Sequence, residues 1–291
     1  MTGSEPDAEA SPPGAVELTA PAKLTLSLRV TGVRPDGYHD IEAEMVALDL
    51  HDSLVMEPGS GLSVFTEPPA ARLGDVPAGP DNLVTRALAA VGRESHVRLV
   101  KRVPPGAGLG GGSSDAGAVL RWAGCTDLDV AARLGADVPF CVMGGRALVR
   151  GIGETVVPLP YQERRFVLLL PPFGVDTAAV YRAWDELASA GRVEGRVGVG
   201  THDGARTNDL EAAALEVEPR LAAWRDRFAQ VSGARPLLAG SGSTWFLEGT
   251  PSELGTAGRT SLKLGEAEGT LVAVRTVRAG YGPLGRADDA R

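Results

Sequence analysis

The chain has 291 residues, which fits two domains of roughly 150 residues each. With 43% hydrophobic and 23% charged residues, it can bury a large core and stay in solution. Its 29 basic and 37 acidic side chains give a formal net charge of −8, which argues against a nucleic-acid or anionic-membrane partner because both need basic surface. A small anionic ligand in one local pocket is compatible with this charge.

The first segment predicts a disordered tail rather than a targeting signal. Residues 1–15 are small, acidic and proline-rich, with neither the basic nor the hydrophobic part of a secretion signal. No apolar run approaches the roughly 18 residues that span a bilayer, so no membrane partner is expected. Cys125 and Cys141 are too few for a disulfide framework or a zinc site. We therefore expect a soluble, cytoplasmic protein of mixed helices and strands.

The first half of the chain predicts strands and one amphipathic helix. Apolar and polar residues alternate over 24–30, which indicates a half-buried strand, and Arg-Pro-Asp-Gly at 34–37 indicates a turn. Asp81 is expected to cap a helix over 83–91, and a strand over 96–103 leads into a glycine-rich segment. Short apolar stretches that indicate further strands lie at 41–48, 53–56 and 62–66.

Beyond residue 155 the pattern favours helices that cover one sheet. Residues 165–170 read as a buried strand, and Asp176 is expected to cap a helix over 177–190. A loop of Gly, Arg and Val covers 191–206. Further helices are predicted at 208–215, 219–231 and near 251–258, and further strands at 236–239, 244–247 and 270–277.

The segment 104–116, with the sequence PPGAGLGGGSSDA, predicts a phosphate-binding loop. Its glycines let backbone N–H groups face one concavity without intervening side chains, and the start of the following helix adds donors and a positive dipole end. Ser113 and Ser114 supply hydroxyls for a phosphate oxygen or a metal-bound water. A Walker loop is excluded because no lysine precedes the serines. The dinucleotide fingerprint matches formally at 106–111, but the strand before it carries charges where an apolar strand is expected.

Three motifs resemble the signatures of the GHMP small-molecule kinases, and they occur in the same order. Pro21-Ala22-Lys23-Leu24 resembles the first, the segment 104–116 the second, and Leu238-Ala239-Gly240-Ser241-Gly242-Ser243-Thr244 the third. Two further strings, at 36–39 (DGYH) and 134–140 (LGADVPF), resemble one branch of this superfamily. That branch phosphorylates 4-diphosphocytidyl-2-C-methyl-D-erythritol in the non-mevalonate route to isoprenoids. The likeness runs from about residue 17 to residue 280.

The resemblance implies an α+β protein with the two-domain GHMP kinase fold. A ribosomal-protein-like α/β domain over 16–155 would bind the ATP phosphates, and a ferredoxin-like α+β domain over 156–291 would cap the substrate. The implied reaction is ATP-dependent phosphorylation of the 2-hydroxyl of the cytidyl-diphosphate polyol, with Mg²⁺, by a monomer or homodimer. The alternatives are another GHMP kinase, a catalytically impaired nucleotide-binding homologue, and a dinucleotide-dependent oxidoreductase.

The resemblance also assigns individual site residues. Lys23 and Asp137 match the catalytic pair of the family. The residues that match its ATP site are Asn82 and Leu83 at the adenine, and Pro104, Gly106, Gly108, Gly110, Gly111, Gly112, Ser113 and Ser114 at the phosphates. The residues that match its substrate site are Thr25, Tyr38, His39, Asp137, Thr177, Tyr181, Gly240, Ser241 and Gly242, with Tyr38, His39 and Tyr181 around the cytosine ring. No metal ligand is assigned, although Ser113 or Ser114 is a candidate Mg²⁺ contact.

The chemistry of phosphoryl transfer suggests roles for Lys23 and Asp137, because this reaction mainly needs alignment and charge stabilisation. By hypothesis, Asp137 accepts or orients the proton of the attacking hydroxyl. Lys23 stabilises the charge of the transferring group and keeps Asp137 ionised. Structural alternatives stay open: Lys23 as a lysine at the protein rim, Asp137 as a helix N-cap, and Tyr38 and His39 as plain turn residues.

Two departures from the family pattern accompany the likeness. Thr25 stands where the first motif usually has an asparagine, so a short hydroxyl replaces a carboxamide. The connection over 120–134 is shorter than usual, with part of two helices expected to be lost. Both departures bear on rate or specificity.

Overall fold

The computed structural model describes residues 15–74, 76–193 and 207–279. The tail predicted over 1–15 therefore lies outside the described residues, apart from Ala15, as does most of the loop predicted over 191–206. Within the described ranges, no helix has both the length and the apolar character needed to cross a membrane.

The first sheet is built around one long strand. The strands are β1 (Val16–Val33), β2 (His39–Glu57), β3 (Gly61–Thr66), β4 (His96–Lys101), β5 (Arg146–Gly151) and β6 (Thr155–Pro158). Strand β2 pairs with β1 along its length and also with β4 and β5, which gives the order β3-β4-β2-β5-β6 with β1 on β2. All pairs are antiparallel except β3 with β4.

Four helices and a short 3-10 turn belong to this half. They are the 3-10 turn Ala70–Leu73 and the helices α1 (Leu83–Ala90), α2 (Gly111–Trp122), α3 (Leu128–Leu134) and α4 (Val138–Met143). Apolar residues of these helices form one core cluster with β1, β2 and β4. Burial of that face holds α2, and with it the glycine segment, against the sheet.

The second sheet is antiparallel and carries three helices. Its strands are β7 (Arg165–Leu170), β8 (Leu237–Leu238), β9 (Trp245–Glu248), β10 (Ser261–Leu264) and β11 (Ala267–Arg275), in the order β10-β11-β7-β9-β8. The helices are α5 (Thr177–Ser189), α6 (Glu211–Val217) and α7 (Arg220–Ser232). Asp176 caps α5 as predicted, since its Oδ1 accepts a hydrogen bond from the Ala179 N–H at 2.6 Å.

The two sheets share core residues. One buried cluster combines Leu24 and Leu26 of β1 with Phe166 and Leu168 of β7. Strand β1 also forms a backbone bridge between Leu28 and Asn208, just before α6. The cleft between the sheets is therefore lined from both halves of the chain.

The alternating sequence of β1 predicts a strand buried on one face, but the structure buries both of its faces. Thr25 and Ser27, on its polar face, are only 2% and 6% exposed. The turn at Gly240 lies over Thr25 on that face, because a Cβ atom on Gly240 would lie 3.6 Å from Thr25 Oγ1. A polar face buried in this way is typical of a binding site rather than of a solvent-facing sheet.

Two predicted element ends were wrong because side chains bind the backbone there. The residue that caps α1 is Asn82 and not Asp81, since Asn82 Oδ1 accepts a hydrogen bond from the Val84 N–H at 2.9 Å. Strand β4 ends at Lys101 and does not continue to residue 103. The N–H group of Val103 donates to Asp52 Oδ1 at 2.7 Å instead of to a neighbouring strand.

The helix predicted near 251–258 was also wrong, because this segment forms successive turns. Gly255 and Gly258 have φ angles of +62° and +73°, a left-handed conformation that a right-handed helix cannot contain. The four-residue strand β10 that follows was not predicted. Its short Ser-Leu-Lys-Leu sequence carries too little pattern to be recognised.

Candidate active site

An ammonium group and a carboxylate meet between β1 and the start of α4. Lys23 Nζ lies 3.4 Å from Asp137 Oδ2 and donates a hydrogen bond to Thr25 Oγ1 at 3.1 Å. Lys23 is only 6% exposed, which excludes the reading of a rim lysine. Asp137 stands at the N-cap position of α4 but makes no side-chain capping bond. Its carboxylate, 32% exposed, is therefore free to act on a ligand.

The glycine loop lies directly against Lys23. The Lys23 N–H donates to the Leu109 carbonyl at 2.9 Å, and a Cβ atom on Gly110 would lie 2.7 Å from Lys23 Cγ. On Gly108, a Cβ atom would lie 2.5 Å from the Ala239 carbonyl oxygen. Both glycines have left-handed φ angles, +76° at Gly108 and +65° at Gly110. Because these glycines have no side chains, the glycine loop can lie against both Lys23 of β1 and the backbone at Ala239.

Helix α2 begins at Gly111, inside the predicted loop, with Gly110 as its N-cap residue. The first N–H groups of a helix have no partner within it and carry a partial positive charge. The first turn of α2 holds no acidic side chain. Gly112 is exposed and Ser113 half-buried at this terminus, so the helix start is open to an anion.

Ser114 points away from this terminus. It is 1% exposed, its hydroxyl donates to the Pro21 carbonyl, and its N–H donates to the Gly110 carbonyl at 2.8 Å. Ser114 is thus buried and bonded within the protein, whereas Ser113 is half-buried at the helix start. Of the two candidate Mg²⁺ contacts, Ser113 is the more accessible.

A cavity of about 300 Å³ opens beside the helix start. Asn82 and Leu83, the residues predicted at the adenine, line this cavity together with Gly111 and Gly112. The Asn82 side chain is already occupied, because it caps α1 and its Nδ2 donates to the Pro77 carbonyl at 2.9 Å. Asn82 thus shapes the cavity wall. The remaining lining residues are Val76, Pro77, Asp81, Lys101, Val103, Pro105 and Asp115.

Three charged residues that the sequence reasoning missed are buried beside this cavity. Lys101 Nζ donates to Asp115 Oδ2 at 2.7 Å and also to Asp52 Oδ2. Burial alone would lower the pKa of Lys101, but the two carboxylates outweigh it and raise that pKa. Burial, with the charge of Asp52, raises the pKa of Asp115 to about 8 against the opposing effect of Lys101. Asp115 Oδ1 is buried and has no hydrogen-bond partner among the described residues.

His39 and Tyr181, two of the predicted cytosine residues, lie together. Their ring centroids are 4.7 Å apart, and His39 Nε2 lies 2.7 Å from Asp185 Oδ1 on α5. Burial and the nearby negative charge of Asp137 raise the pKa of Tyr181, so this pair borders the Lys23–Asp137 contact. Tyr38 is 60% exposed in the turn before β2, and its ring packs against no other aromatic ring in the described ranges.

The second glycine turn reaches the same place from the other half of the chain. A Cβ atom on Gly240 would lie 3.6 Å from Lys23 Nζ. Thr177 Oγ1 and Ser241 Oγ share a hydrogen bond of 2.8 Å. Asn208, which the sequence reasoning missed, donates from Nδ2 to the Gly240 carbonyl at 2.6 Å. The structure therefore brings Gly240 to Lys23, and Asn208 supports the turn.

Helix α4, which carries Asp137 at its start, is held in place by a half-buried arginine. Arg121 on α2 donates to the Cys141 carbonyl on α4 and, at 3.2 Å, to the Thr19 carbonyl on β1. Gly117 allows α2 and α4 to touch, because a Cβ atom there would lie 2.9 Å from the Cys141 backbone. The position of Asp137 thus depends on the contact between these two helices.

The chain resembles known kinases over most of its length. The family of GHMP kinases N terminal domains matches residues 82–145, from Asn82 to just beyond α4. The chain is 36% identical to the 4-diphosphocytidyl-2-C-methyl-D-erythritol kinase of Pelotomaculum thermopropionicum over 285 residues, which cover 88% of this chain and 96% of that protein. It is 40% identical to the kinase of the same name from Paracoccus denitrificans over 245 residues, 78% of this chain and 84% of that protein.

Solved structures agree with these similarities. A crystal structure of 4-(cytidine 5′-diphospho)-2C-methyl-D-erythritol kinase matches with a TM-score of 0.58 at 35% identity, over 79% of this chain and 88% of that chain. The mevalonate kinase of Methanococcus jannaschii shares the fold, with a TM-score of 0.55 at 11% identity over 92% of this chain and 100% of that chain. The predicted α+β kinase fold is thereby confirmed.

Proposed function

Since the chain belongs to the family of 4-diphosphocytidyl-2-C-methyl-D-erythritol kinases, which are ATP-dependent kinases, we propose that it phosphorylates the 2-hydroxyl of that cytidyl-diphosphate polyol. The observation that carries the proposal is the contact between Lys23 and Asp137 at the glycine loop. An ammonium and a carboxylate more than a hundred residues apart in sequence meet beside an anion-binding helix terminus. The geometry supports phosphoryl transfer to an alcohol.

Asp137 is proposed to act on the attacking hydroxyl. The hydroxyl oxygen attacks the γ-phosphorus of ATP while its proton passes to the Asp137 carboxylate. The bond between the γ-phosphorus and the bridging oxygen breaks, and ADP leaves. The partial exposure of Asp137 then lets the proton escape to water.

Lys23 is proposed to stabilise the charge of the transferring group. Its attraction to Asp137 at 3.4 Å amounts to about 5 kcal/mol in a medium of effective dielectric constant near 20, before desolvation. Thr25 serves as a partner of Lys23 in place of the family's usual asparagine, because its hydroxyl accepts from Nζ.

The start of α2 is the proposed phosphate site. Its open N–H groups fit a triphosphate, and Gly108 and Gly110 let the loop before it lie against Ala239 and Lys23 without a clash. Mg²⁺ would neutralise phosphate charge there, and Ser113 offers the available hydroxyl. In the described part of the chain, no cluster of three or more His, Cys, Asp or Glu could hold a metal alone. The cavity at Asn82 and Leu83 is the proposed adenine site.

The substrate would bind from the other side of Lys23. His39 and Tyr181 are proposed to hold the cytosine ring, with Tyr38 closing over its exposed face. Gly240, Ser241 and Gly242, with Thr177 behind them, would border the substrate phosphates.

In this proposal residues 16–155 bind ATP and residues 156–291 cap the substrate. A cytoplasmic location, a state of monomer or homodimer and the lack of a nucleic-acid partner are parts of the same proposal.

The test is release of ADP in a coupled assay with purified protein. We expect turnover with the cytidyl-diphosphate polyol and none above background with mevalonate, homoserine or galactose. Lys23→Met should abolish this turnover, whereas Lys263→Met, which changes an exposed lysine of β10, should leave it unchanged. Turnover with one of the other alcohols would identify a different GHMP kinase. ATP binding without turnover of any substrate would indicate an impaired homologue.

A further inference from the structure

The side chains of His39 and Asp185 form a contact that the proposed reaction does not yet explain. His39 begins β2, Asp185 lies on α5, and the two are 146 positions apart in the chain. His39 Nε2 lies 2.7 Å from Asp185 Oδ1. The imidazole is 7% exposed and the carboxylate 46% exposed, so the carboxylate faces partly to water and the ring is enclosed.

One face of α5 holds the imidazole in place. Tyr181, Trp184 and Asp185 have the spacing i, i+3 and i+4, which places them side by side on a helix. The Tyr181 ring lies 4.7 Å from the His39 ring, and the Trp184 ring meets it edge-on at 5.5 Å. Because both aromatic rings pack against the imidazole, its orientation is fixed.

The carboxylate determines where the imidazole carries its hydrogen. An ionised carboxylate only accepts hydrogen bonds, so Nε2 of His39 must be the protonated nitrogen. A neutral imidazole then presents a lone pair at Nδ1. In the described part of the chain Nδ1 has no hydrogen-bond partner, and it is not among the fully buried atoms that lack one, so it keeps some accessible surface.

We propose that Asp185 is a positioning residue that fixes this tautomer of His39 and thereby selects cytosine over uracil. The inference rests on the proposed function and concerns which base its substrate site prefers. Cytosine carries an amine at the position where uracil carries a carbonyl. An acceptor at Nδ1 pairs with the amine, whereas against the carbonyl it would leave two acceptors facing each other.

The test compares the cytidyl-diphosphate polyol with its uridyl analogue. We expect kcat/KM to favour the cytidyl substrate by roughly 10-fold or more, as for a buried polar group left unpaired. In Asp185→Ala the hydrogen can move to Nδ1, so the preference should fall to about threefold or less on the same scale. The change should appear mainly in KM, with kcat little altered, because Asp185 does not touch the reacting atoms.

Two variants and one spectroscopic measurement complete the experiment. Asp185→Glu retains a carboxylate and should restore most of the preference, and Glu186→Ala, which removes an exposed charge from the next position of α5, should not change it. Nitrogen-15 NMR of the wild-type protein should show His39 protonated at Nε2 and unprotonated at Nδ1.

Two results would overturn the inference: an undiminished cytosine preference in a folded Asp185→Ala protein, or a proton on Nδ1 in the wild-type spectrum. The NMR arm does not depend on Asp185→Ala being folded. If the proposed function itself fails, none of the proteins will turn over the cytidyl substrate, while the NMR spectrum still reports the tautomer.

Discussion

At the scale of single residues, the position of the Lys23 side chain depends on the lack of a side chain at Gly110. A Cβ atom at this position would lie 2.7 Å from Lys23 Cγ, and its φ of +65° disfavours any side chain. Gly110→Ala should therefore displace the ammonium and lower kcat by roughly 100-fold, as small misplacements of catalytic groups do. Steady-state kinetics with purified protein measures this effect.

Gly124→Ala is the matched control for that change. Gly124 has a similar φ of +74°, but a Cβ atom there would meet nothing within 4 Å. It should show the same backbone strain in thermal unfolding and no loss of kcat. Equal losses of kcat in the two variants would show that strain alone, and not the contact with Lys23, explains the effect.

Asp137 is expected to be required for turnover. It makes no capping hydrogen bond in α4, but its carboxylate lies 3.4 Å from the buried Lys23 ammonium, so Asp137→Ala should also lower the free energy of unfolding. Loss of the proton acceptor should lower kcat by at least roughly 10²-fold. Asp129→Ala, an exposed position on α3, serves as the control. Near-normal turnover in Asp137→Ala would contradict the assigned role.

Asp115 should make stability depend on pH. Its pKa rises from an ordinary 3.8 to about 8 in the folded protein. Between these values the folded protein keeps a proton that the unfolded chain has lost, so its contribution to stability falls as the pH rises. That contribution is fully present below about pH 4 and is lost as the pH passes about 8.

Asp115→Asn should remove this dependence, because an amide stays neutral at every pH in that range. Urea unfolding at a series of pH values would show a shallower decline of the unfolding free energy than in the wild-type protein. Asp129→Asn should retain the wild-type slope. A slope in Asp115→Asn equal to that of the wild type would mean that Asp115 is ionised throughout.

At the scale of elements, the contact of α2 with α4 sets the position of Asp137. Burial lowers the pKa of the Arg121 guanidinium, which donates hydrogen bonds to the carbonyl oxygens of Cys141 and Thr19. Arg121→Met should remove these bonds and reduce stability by about 2 kcal/mol or more. Because α4 is then less firmly held, kcat should fall while KM for ATP changes little.

Denaturant unfolding and kinetics on the same preparation would test this expectation. Arg133→Met, which removes an exposed arginine from α3, is the control and should change neither quantity. If Arg121→Met lost stability but kept full kcat, the arginine would support the fold without positioning Asp137.

Elements with strong local signals could be predicted from the sequence. Two helix starts are examples. Asp176 indicates the start of α5, and the glycine run indicates the start of α2, each from only a few residues. The helix predicted near 251–258 was wrong because Gly255 and Gly258 adopt left-handed φ angles, which glycine allows and a helix excludes. Local patterns therefore predicted helices well where a cap was present.

At the scale of the whole molecule, the contact between Lys23 and Asp137 could be predicted only through resemblance to a family. No local pattern relates Lys23 to Asp137, because the fold alone brings them together. The cluster of Asp52, Lys101 and Asp115 was missed for the same reason, since each looks like an ordinary surface charge in sequence. The support of the second glycine turn by Asn208 likewise depends on a contact between distant segments.

The backbone bridge between β1 and the segment before α6 limits how the molecule can open. Leu28 donates its N–H to the Thr207 carbonyl and accepts from the Asp209 N–H, each at 2.9 Å, and Val30 donates to the Asp209 carboxylate at 3.0 Å. A hinge motion that separates β1 from residues 207–209 would have to break all three bonds together. We therefore expect the halves to stay joined throughout a catalytic cycle, with substrates and products exchanging through local movements of the loops beside each pocket.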